Sequence, residues 1–229
     1  MAPTGYNPIM AIEFPLEAHL MDILEASTAD VLRSCVNCEM LVFSQVAVGA
    51  TIPDLVIVRQ PQEPTIEKRV RLSDFEAWVV AELWGRGALR EPTLTRRLYT
   101  RSQRTQVALQ KLERLGIVRR TPAGGYVLTD VLKRNVEVLA VEAKLTRWRE
   151  AIEQARDYLR FSMASYVALP DSVVRSNSDI VEACKEAQVG LLAVSTDGVR
   201  VVWRPRRRNA PVKRDFVRVL SRTVGIALT

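Results

Sequence analysis

Apolar and polar positions follow two different periods along the chain, and the changes between them predict a series of helices and strands. Apolar residues at helical spacing predict a first helix over about residues 16–34. Two runs rich in β-branched residues, 40–49 and 54–60, predict strands, and the Gly- and Pro-containing turn between them makes these strands adjacent. Two prolines within 60–69 then predict a connector.

The C-terminal part of the chain alternates between the same two periods. In order, the pattern predicts a strand at 136–145, a helix at 147–164, a strand at 165–170, a helix near 178–188, two strands within 189–203 joined by an Asp197-Gly198 turn, and a helix at 215–227. Alternating strands and helices are typical of α/β folds, in which helices cover a sheet. The expected fold class is therefore α/β, with a mixed sheet flanked by helices.

Residues 71–131 interrupt this alternation with a block of their own. Three helices are predicted there, at 75–87, 93–99 and 103–116. Asp74 and Ser102 are the expected N-caps of the first and third helices, and two short strands within 117–129 predict a hairpin with a Gly-Gly tip. Three helices followed by a hairpin resemble a winged helix-turn-helix.

The third helix of this block is expected to turn Val107, Leu109, Leu112 and Leu115 inward. The remaining side chains include residue types that reach phosphates and base edges in a major groove. These candidates are Arg101, Ser102, Gln103, Arg104, Gln106 and Lys111. In the hairpin, Arg119 and Arg120 are placed to meet the DNA backbone or the minor groove. The alternative is a solvated basic face on a protein-interaction or architectural module.

Charge favours a polyanionic partner without identifying it. The net charge is +7 over 229 residues, and residues 71–130 hold eleven Lys/Arg against six Asp/Glu, which is +5 of that total. A second excess of positive charge lies in 203–214.

No apolar run approaches the roughly 18 residues of a membrane span, and the first 14 residues lack the features of a signal peptide. We therefore expect a cytoplasmic protein without a membrane partner.

The numbers of cysteines and histidines limit which disulfides, metal sites and catalytic mechanisms are possible. The three cysteines, Cys35, Cys38 and Cys184, are an odd number without a secretory signal, which argues against a disulfide framework and favours packed thiols. A zinc site at the CVNC stretch lacks further ligands, since His19 is the only histidine. A single histidine also argues against Ser/His/Asp and Cys/His mechanisms.

Two charges interrupt the apolar run at 137–146. Glu142 and Lys144 are two residues apart, so on a strand they point to the same side. Burying charges without partners is costly, and the pair is therefore either a structural ion pair or a functional one.

Several short motifs accompany this pair in a fixed order. They are Pro53-Asp54 at the head of a predicted strand, Glu142-Ala143-Lys144, Gln154 and Tyr158 spaced as QxxxY, and the strand 165-SYVALP-170. Together they resemble the PD-(D/E)xK nuclease superfamily, which has the restriction-endonuclease-like fold. Of the 88 positions between Asp54 and Glu142, removing the 61 residues of 71–131 leaves 27, which suits adjacent strands. We therefore interpret the block as an insertion between two parts of a nuclease core, 1–70 and 132–229.

The resemblance implies a function and a set of site residues. It implies Mg²⁺ (or Mn²⁺) held by Asp54, Glu142, the carbonyl of Ala143 and Glu17 of the first helix. Lys144 would orient or deprotonate the attacking water, with Gln154 and Tyr158 holding the water or the DNA backbone.

The expected protein is thus a metal-dependent DNA nuclease that hydrolyses phosphodiester bonds and grips duplex DNA through the inserted winged helix. A homodimer is compatible with the resemblance, because many members of that superfamily act as dimers. The alternatives are a catalytically inactive nuclease-like regulator or scaffold that binds DNA, and an RNA-directed enzyme or accessory subunit.

Overall fold

A computed structural model describes residues 14–33, 38–61, 68–129, 136–208 and 212–228. The helices are α1 (Glu17–Leu32), α2 (Asp74–Leu83), α3 (Glu91–Arg97), α4 (Ser102–Arg114), α5 (Trp148–Tyr158), α6 (Asp171–Ser176), α7 (Asp179–Ala187) and α8 (Lys213–Arg222). The strands are β1 (Cys38–Ser44), β2 (Leu55–Pro61), β3 (Lys68–Val70), β4 (Val118–Arg120), β5 (Tyr126–Leu128), β6 (Glu137–Ala143), β7 (Ala164–Pro170), β8 (Gly190–Ser195), β9 (Gly198–Trp203) and β10 (Ile226–Leu228).

Six strands form one mixed sheet in the order β1-β2-β6-β7-β8-β9. The central pairs β6–β7 and β7–β8 are parallel, whereas β1–β2, β2–β6 and β8–β9 are antiparallel. Helices cover the sheet on both sides, which confirms the predicted class of a mixed α/β fold with a sheet flanked by helices. Strand β7 is buried along its whole length, as expected for a strand covered on both faces.

The two faces of the sheet pack into different hydrophobic clusters. Helix α1 covers one face through Leu20, Leu24 and Leu32, which lie against residues of β2, β6, β7 and β8. Helices α5 and α7 cover the other face, where Ala151, Ala155 and other small or aliphatic residues meet β7 and β8. Alternating side chains of each central strand therefore enter opposite clusters.

Helices α2, α3 and α4 and the β4–β5 hairpin occupy residues 74–128, within the range where three helices and a hairpin were expected. Helix α2 packs on α8, and the Trp84 and Phe216 rings lie 5.5 Å apart. Strand β3, which precedes α2, pairs with β10 after α8. The block therefore shares its largest hydrophobic cluster with the C-terminal helix and with β2 and β6.

Three local expectations in this block are wrong. Helix α2 is capped by Ser73, which forms a capping box with Glu76, rather than by Asp74. The N-cap of α4 is Arg101, and the Ser102 hydroxyl donates to Glu91 instead. Val107 is 60% exposed, because positions 107 and 109 point about 200° apart on a helix and cannot share the inward face.

Outside the block, the differences concern short elements and ends. Helix α5 ends at Tyr158 rather than near 164, because β7 already begins at Ala164. Cys184 is a free, buried cysteine as expected, whereas Cys38 is disulfide-bonded, contrary to the expectation of packed thiols. The expectations for the first 13 residues, for Cys35 and for 62–67 of the connector lie outside the described residues. No helix in the described residues is long and apolar enough to cross a membrane.

Candidate functional site

The pairing of β2 with β6 brings Asp54 beside Glu142. Leu55 lies opposite Val141 in this antiparallel pair, so Asp54, one residue before β2, reaches the last residues of β6. Its Oδ2 accepts a hydrogen bond of 2.8 Å from the backbone N–H of Ala143. Two acids that are 88 positions apart in the sequence therefore lie side by side, where β2 begins and β6 ends.

Glu142 is 2% exposed and has a charged partner on one oxygen and a hydroxyl on the other. Its Oε1 lies 2.8 Å from the Lys144 Nζ, and its Oε2 accepts a hydrogen bond of 2.6 Å from the Tyr158 hydroxyl. Tyr158, at the end of α5, is itself 3% exposed. Strand alternation places residue 142 on the sheet face that α5 covers, which is why the tyrosine reaches it.

Helix α1 adds a third carboxylate from the opposite side of the sheet. Glu17, in the first turn of α1, has its Oε1 3.4 Å from the Lys144 Nζ. Lys144 follows the last residue of β6, and its side chain is only 13% exposed. One ammonium group thus lies between carboxylates from α1 and β6, with Asp54 alongside.

Burial and neighbouring charges raise the pKa values of Asp54 and Glu142. Burial raises the pKa of Asp54, against the lowering effect of the Ala143 N–H and of Lys144. Burial likewise raises the pKa of Glu142, and the nearby Asp54 charge adds to this, although Lys144 and Tyr158 act in the other direction. Both carboxylates therefore bear an unfavourable charge that another cation would relieve.

Lys144 remains a cation in this environment. Burial alone lowers the pKa of an ammonium group, but the hydrogen bond to Glu142 and the charges of Glu142, Asp54 and Glu17 outweigh it, and the pKa of Lys144 is raised. Burial and the bond to Glu142 also raise the pKa of the Tyr158 hydroxyl well above its ordinary value, so Tyr158 keeps its proton.

Gln154 lies on α5 one turn before Tyr158 and is half-buried. Its Oε1 is enclosed and has no hydrogen-bond partner among the described residues. A buried amide oxygen without a partner is costly, so this group is available to a ligand or to water.

The donor set of the site suits a hard divalent cation. Glu17, Asp54 and Glu142 offer carboxylate oxygens, the donors that Mg²⁺ prefers, and with Lys144 they leave a formal charge of −2. As they stand, no three Asp, Glu, His or Cys side chains within the described ranges lie close enough together to hold an ion. The Lys144 ammonium occupies the position between two of the acids.

The second group of candidate residues lies on α4 and the β4–β5 hairpin. Arg101, Ser102, Gln103, Arg104, Gln106, Arg119 and Arg120 are all exposed. Two of the cations face α2 rather than the open side of α4. Lys111 Nζ lies 2.8 Å from Glu76 Oε1, and the Arg104 guanidinium lies over the Phe75 ring at 4.2 Å.

Sequence reasoning missed three side chains on the open face of α4, namely Val107, Gln110 and Arg114, all of which are exposed. Counting helical positions from the buried Leu109 and Leu112 would have found them, because the open face lies opposite that pair.

The hydrogen bond from Tyr158 to Glu142 can be tested through stability. We expect Tyr158→Phe to lower the free energy of unfolding by about 1–3 kcal/mol at pH 7, because a buried carboxylate oxygen loses its donor. Urea unfolding measures this difference. Tyr99→Phe is the control, because Tyr99 is 92% exposed. Equal unfolding midpoints for Tyr158→Phe and the unmodified protein would show that the bond contributes nothing.

No protein-family model, curated protein or solved structure matches the chain.

Proposed function

We propose that the protein is a metal-dependent deoxyribonuclease of the PD-(D/E)xK type, hydrolysing phosphodiester bonds. The observation that carries this proposal is the meeting of Asp54, Glu142 and Lys144 at the ends of two adjacent strands. A structural ion pair would need only Glu142 and Lys144. The half-buried Asp54 is an additional acid beside Glu142. The hydrogen bond from the Ala143 N–H holds its carboxylate there, but burial still raises its pKa, so its charge is not fully compensated by these contacts.

Each residue takes a role that follows from its surroundings. Glu17, Asp54, Glu142 and the Ala143 carbonyl would hold Mg²⁺ or Mn²⁺, which when bound neutralises phosphate charge and acidifies a water. Tyr158 positions Glu142 by donating a hydrogen bond from its hydroxyl to Oε2. The enclosed Oε1 of Gln154 can accept a hydrogen bond from the attacking water.

Lys144 is assigned an electrostatic role rather than that of a base. Its raised pKa keeps the ammonium group charged, so it cannot abstract a proton from water at neutral pH. A charged donor near the scissile phosphate stabilises the negative charge that develops during hydrolysis.

The block of α2, α3, α4 and the hairpin β4–β5 would act as a winged helix inserted between core segments 1–70 and 132–229. In this proposal α4 enters the major groove of duplex DNA, and exposed Arg119 and Arg120 of the hairpin contact the backbone. The packing of α2 on α8 supports a fixed placement of this block on the core.

The direct test is cleavage of plasmid and linear duplex DNA with Mg²⁺, Mn²⁺, Ca²⁺ or EDTA. We expect cleavage with Mg²⁺ and Mn²⁺ and none with EDTA. Glu142→Gln protein, purified in parallel, reports any contaminating nuclease, and Glu153→Gln is the matched control on an exposed position of α5. Absence of cleavage with every metal on DNA that the protein binds would reject the enzyme.

One observation favours a second candidate, a DNA-binding regulator or scaffold with an inactive nuclease-like core. Lys144 already contacts Glu17 and Glu142, so the acids are partly neutralised without a metal ion. For this candidate, divalent cations leave the melting temperature unchanged and bound DNA stays intact.

A further inference from the structure

The open face of α4 has an unusual composition. Gln103, Gln106, Val107, Gln110 and Arg114 recur at intervals of three and four residues, so they share one side of the helix. All five are exposed, and Val107 is 60% exposed. A single exposed valine is ordinary on a protein surface, but here it lies among three glutamines.

The cations nearest this face are held away from its centre. Lys111 is bound to Glu76 on α2, and Arg104 is stacked on Phe75. Arg101 precedes the helix, and Arg114 is its last residue. The centre is therefore neutral, with amides and one aliphatic side chain. Cations lie at both ends of the helix and along one flank, and the exposed carboxylate of Glu113 lies on the other flank.

This distribution suits the major groove of duplex DNA more closely than a protein partner. Peripheral cations match the two phosphate backbones, and the centre faces the base edges. Residues in the first turns of a recognition helix contact the bases, and Gln103, Gln106 and Val107 lie in the first two turns of α4.

We propose that α4 reads A·T base pairs, with Val107 against the C5-methyl group of thymine and the glutamine amides on adenine. A glutamine amide matches the N6 donor and N7 acceptor of adenine, and thymine alone offers a methyl group to an aliphatic side chain. Reading guanine typically requires Arg or Lys, which the first two turns of this face do not present. This inference rests on the proposed binding of DNA, and it adds the base preference.

The test begins with duplexes selected from a randomised pool by the full-length protein in EDTA, which prevents cleavage. In the selected site, each thymine is then replaced by uracil, which lacks only the methyl group. Fluorescence anisotropy measures the affinity for each duplex. We expect one or two positions at which uracil weakens binding about fourfold, the effect of losing one buried methyl contact.

Protein variants connect this effect to α4. In Val107→Ala the uracil effect should disappear, and in Val107→Ile it should remain. Gln103→Ala should lose about tenfold in affinity at one adenine and relax the preference there. Ile52→Ala is the control, since Ile52 is similarly exposed, at 57%, but lies outside the block.

The possible outcomes separate the inferred base preference of α4 from the proposed function on which it rests. Selection of G·C-rich sites, binding without base preference, or a uracil effect that persists in Val107→Ala overturns the inference and leaves the nuclease proposal standing. A failure to bind any duplex overturns both.

Discussion

Replacing Lys144 with methionine is expected to reduce the rate of DNA cleavage by about 10²–10³-fold, the usual effect of losing one charged donor at a reacting centre. Methionine keeps much of the aliphatic length of lysine but removes the ammonium group that lies 2.8 Å from Glu142 and 3.4 Å from Glu17. Affinity for DNA should stay unchanged, because the proposed binding surface lies on α4 and the hairpin. Single-turnover cleavage and anisotropy with the same duplex measure the two quantities.

Lys144→Arg separates two roles of this residue. Arginine stays protonated, so it restores part of the rate if the group acts by its charge and restores nothing if the group acts as a base. Lys185→Met is the matched control, because Lys185 forms an exposed ion pair of 2.7 Å with Glu182 away from the site. Cleavage by Lys144→Met within tenfold of the unmodified protein would contradict the assignment.

The central part of the site could be predicted from the sequence, because it depends on local rules. Strand alternation places Glu142 and Lys144 on one side, and the strand after Pro53 begins beside them once the block is looped out. The bond from Tyr158 to Glu142 could not be predicted in this way, because it depends on how α5 packs on β6. The packing of two elements against each other cannot be deduced from the hydrophobic periodicity of either one.

The fold was predictable where elements are long and periodic. The six strands of the main sheet and the longer helices have enough residues to show a period, whereas α6, β3 and β10 have six, three and three. Capping was mispredicted at α2 because Ser73 and Asp74 are both good caps, and only Ser73 has Glu at the third helical position. Short-range polar contacts therefore decided the boundaries that periodicity left open.

Replacing Asp54 with asparagine is expected to abolish cleavage and yet to stabilise the metal-free fold at neutral pH. Asparagine can still accept the hydrogen bond from the Ala143 N–H, while the charge beside Glu142 and Glu17 is removed. We expect a melting temperature higher by on the order of 2–4 °C at pH 7, the shift that ~1 kcal/mol produces in a chain of 150–250 residues. Differential scanning fluorimetry without metal measures this shift.

The stabilisation produced by Asp54→Asn should depend on pH, and the sign of this dependence follows from the raised pKa of Asp54. Because burial raises this pKa in the folded protein, the ionised carboxylate destabilises the fold above the folded pKa, and protonation removes that cost. The advantage of Asp54→Asn should therefore vanish near pH 4, the ordinary aspartate pKa, and grow as the pH rises through the folded value. Asp22→Asn, at an exposed position of α1, is the matched control.

Divalent cations should reverse the order of stability. Saturating Mg²⁺ stabilises a protein that binds it by about 2.7 kcal/mol at one hundred times the dissociation constant, so the melting temperature of the unmodified protein should rise. Asp54→Asn lacks one of the proposed ligands and should respond little. If Mg²⁺ raises both melting temperatures equally, the ion binds elsewhere, and Asp54 is a buried acid without a metal to hold.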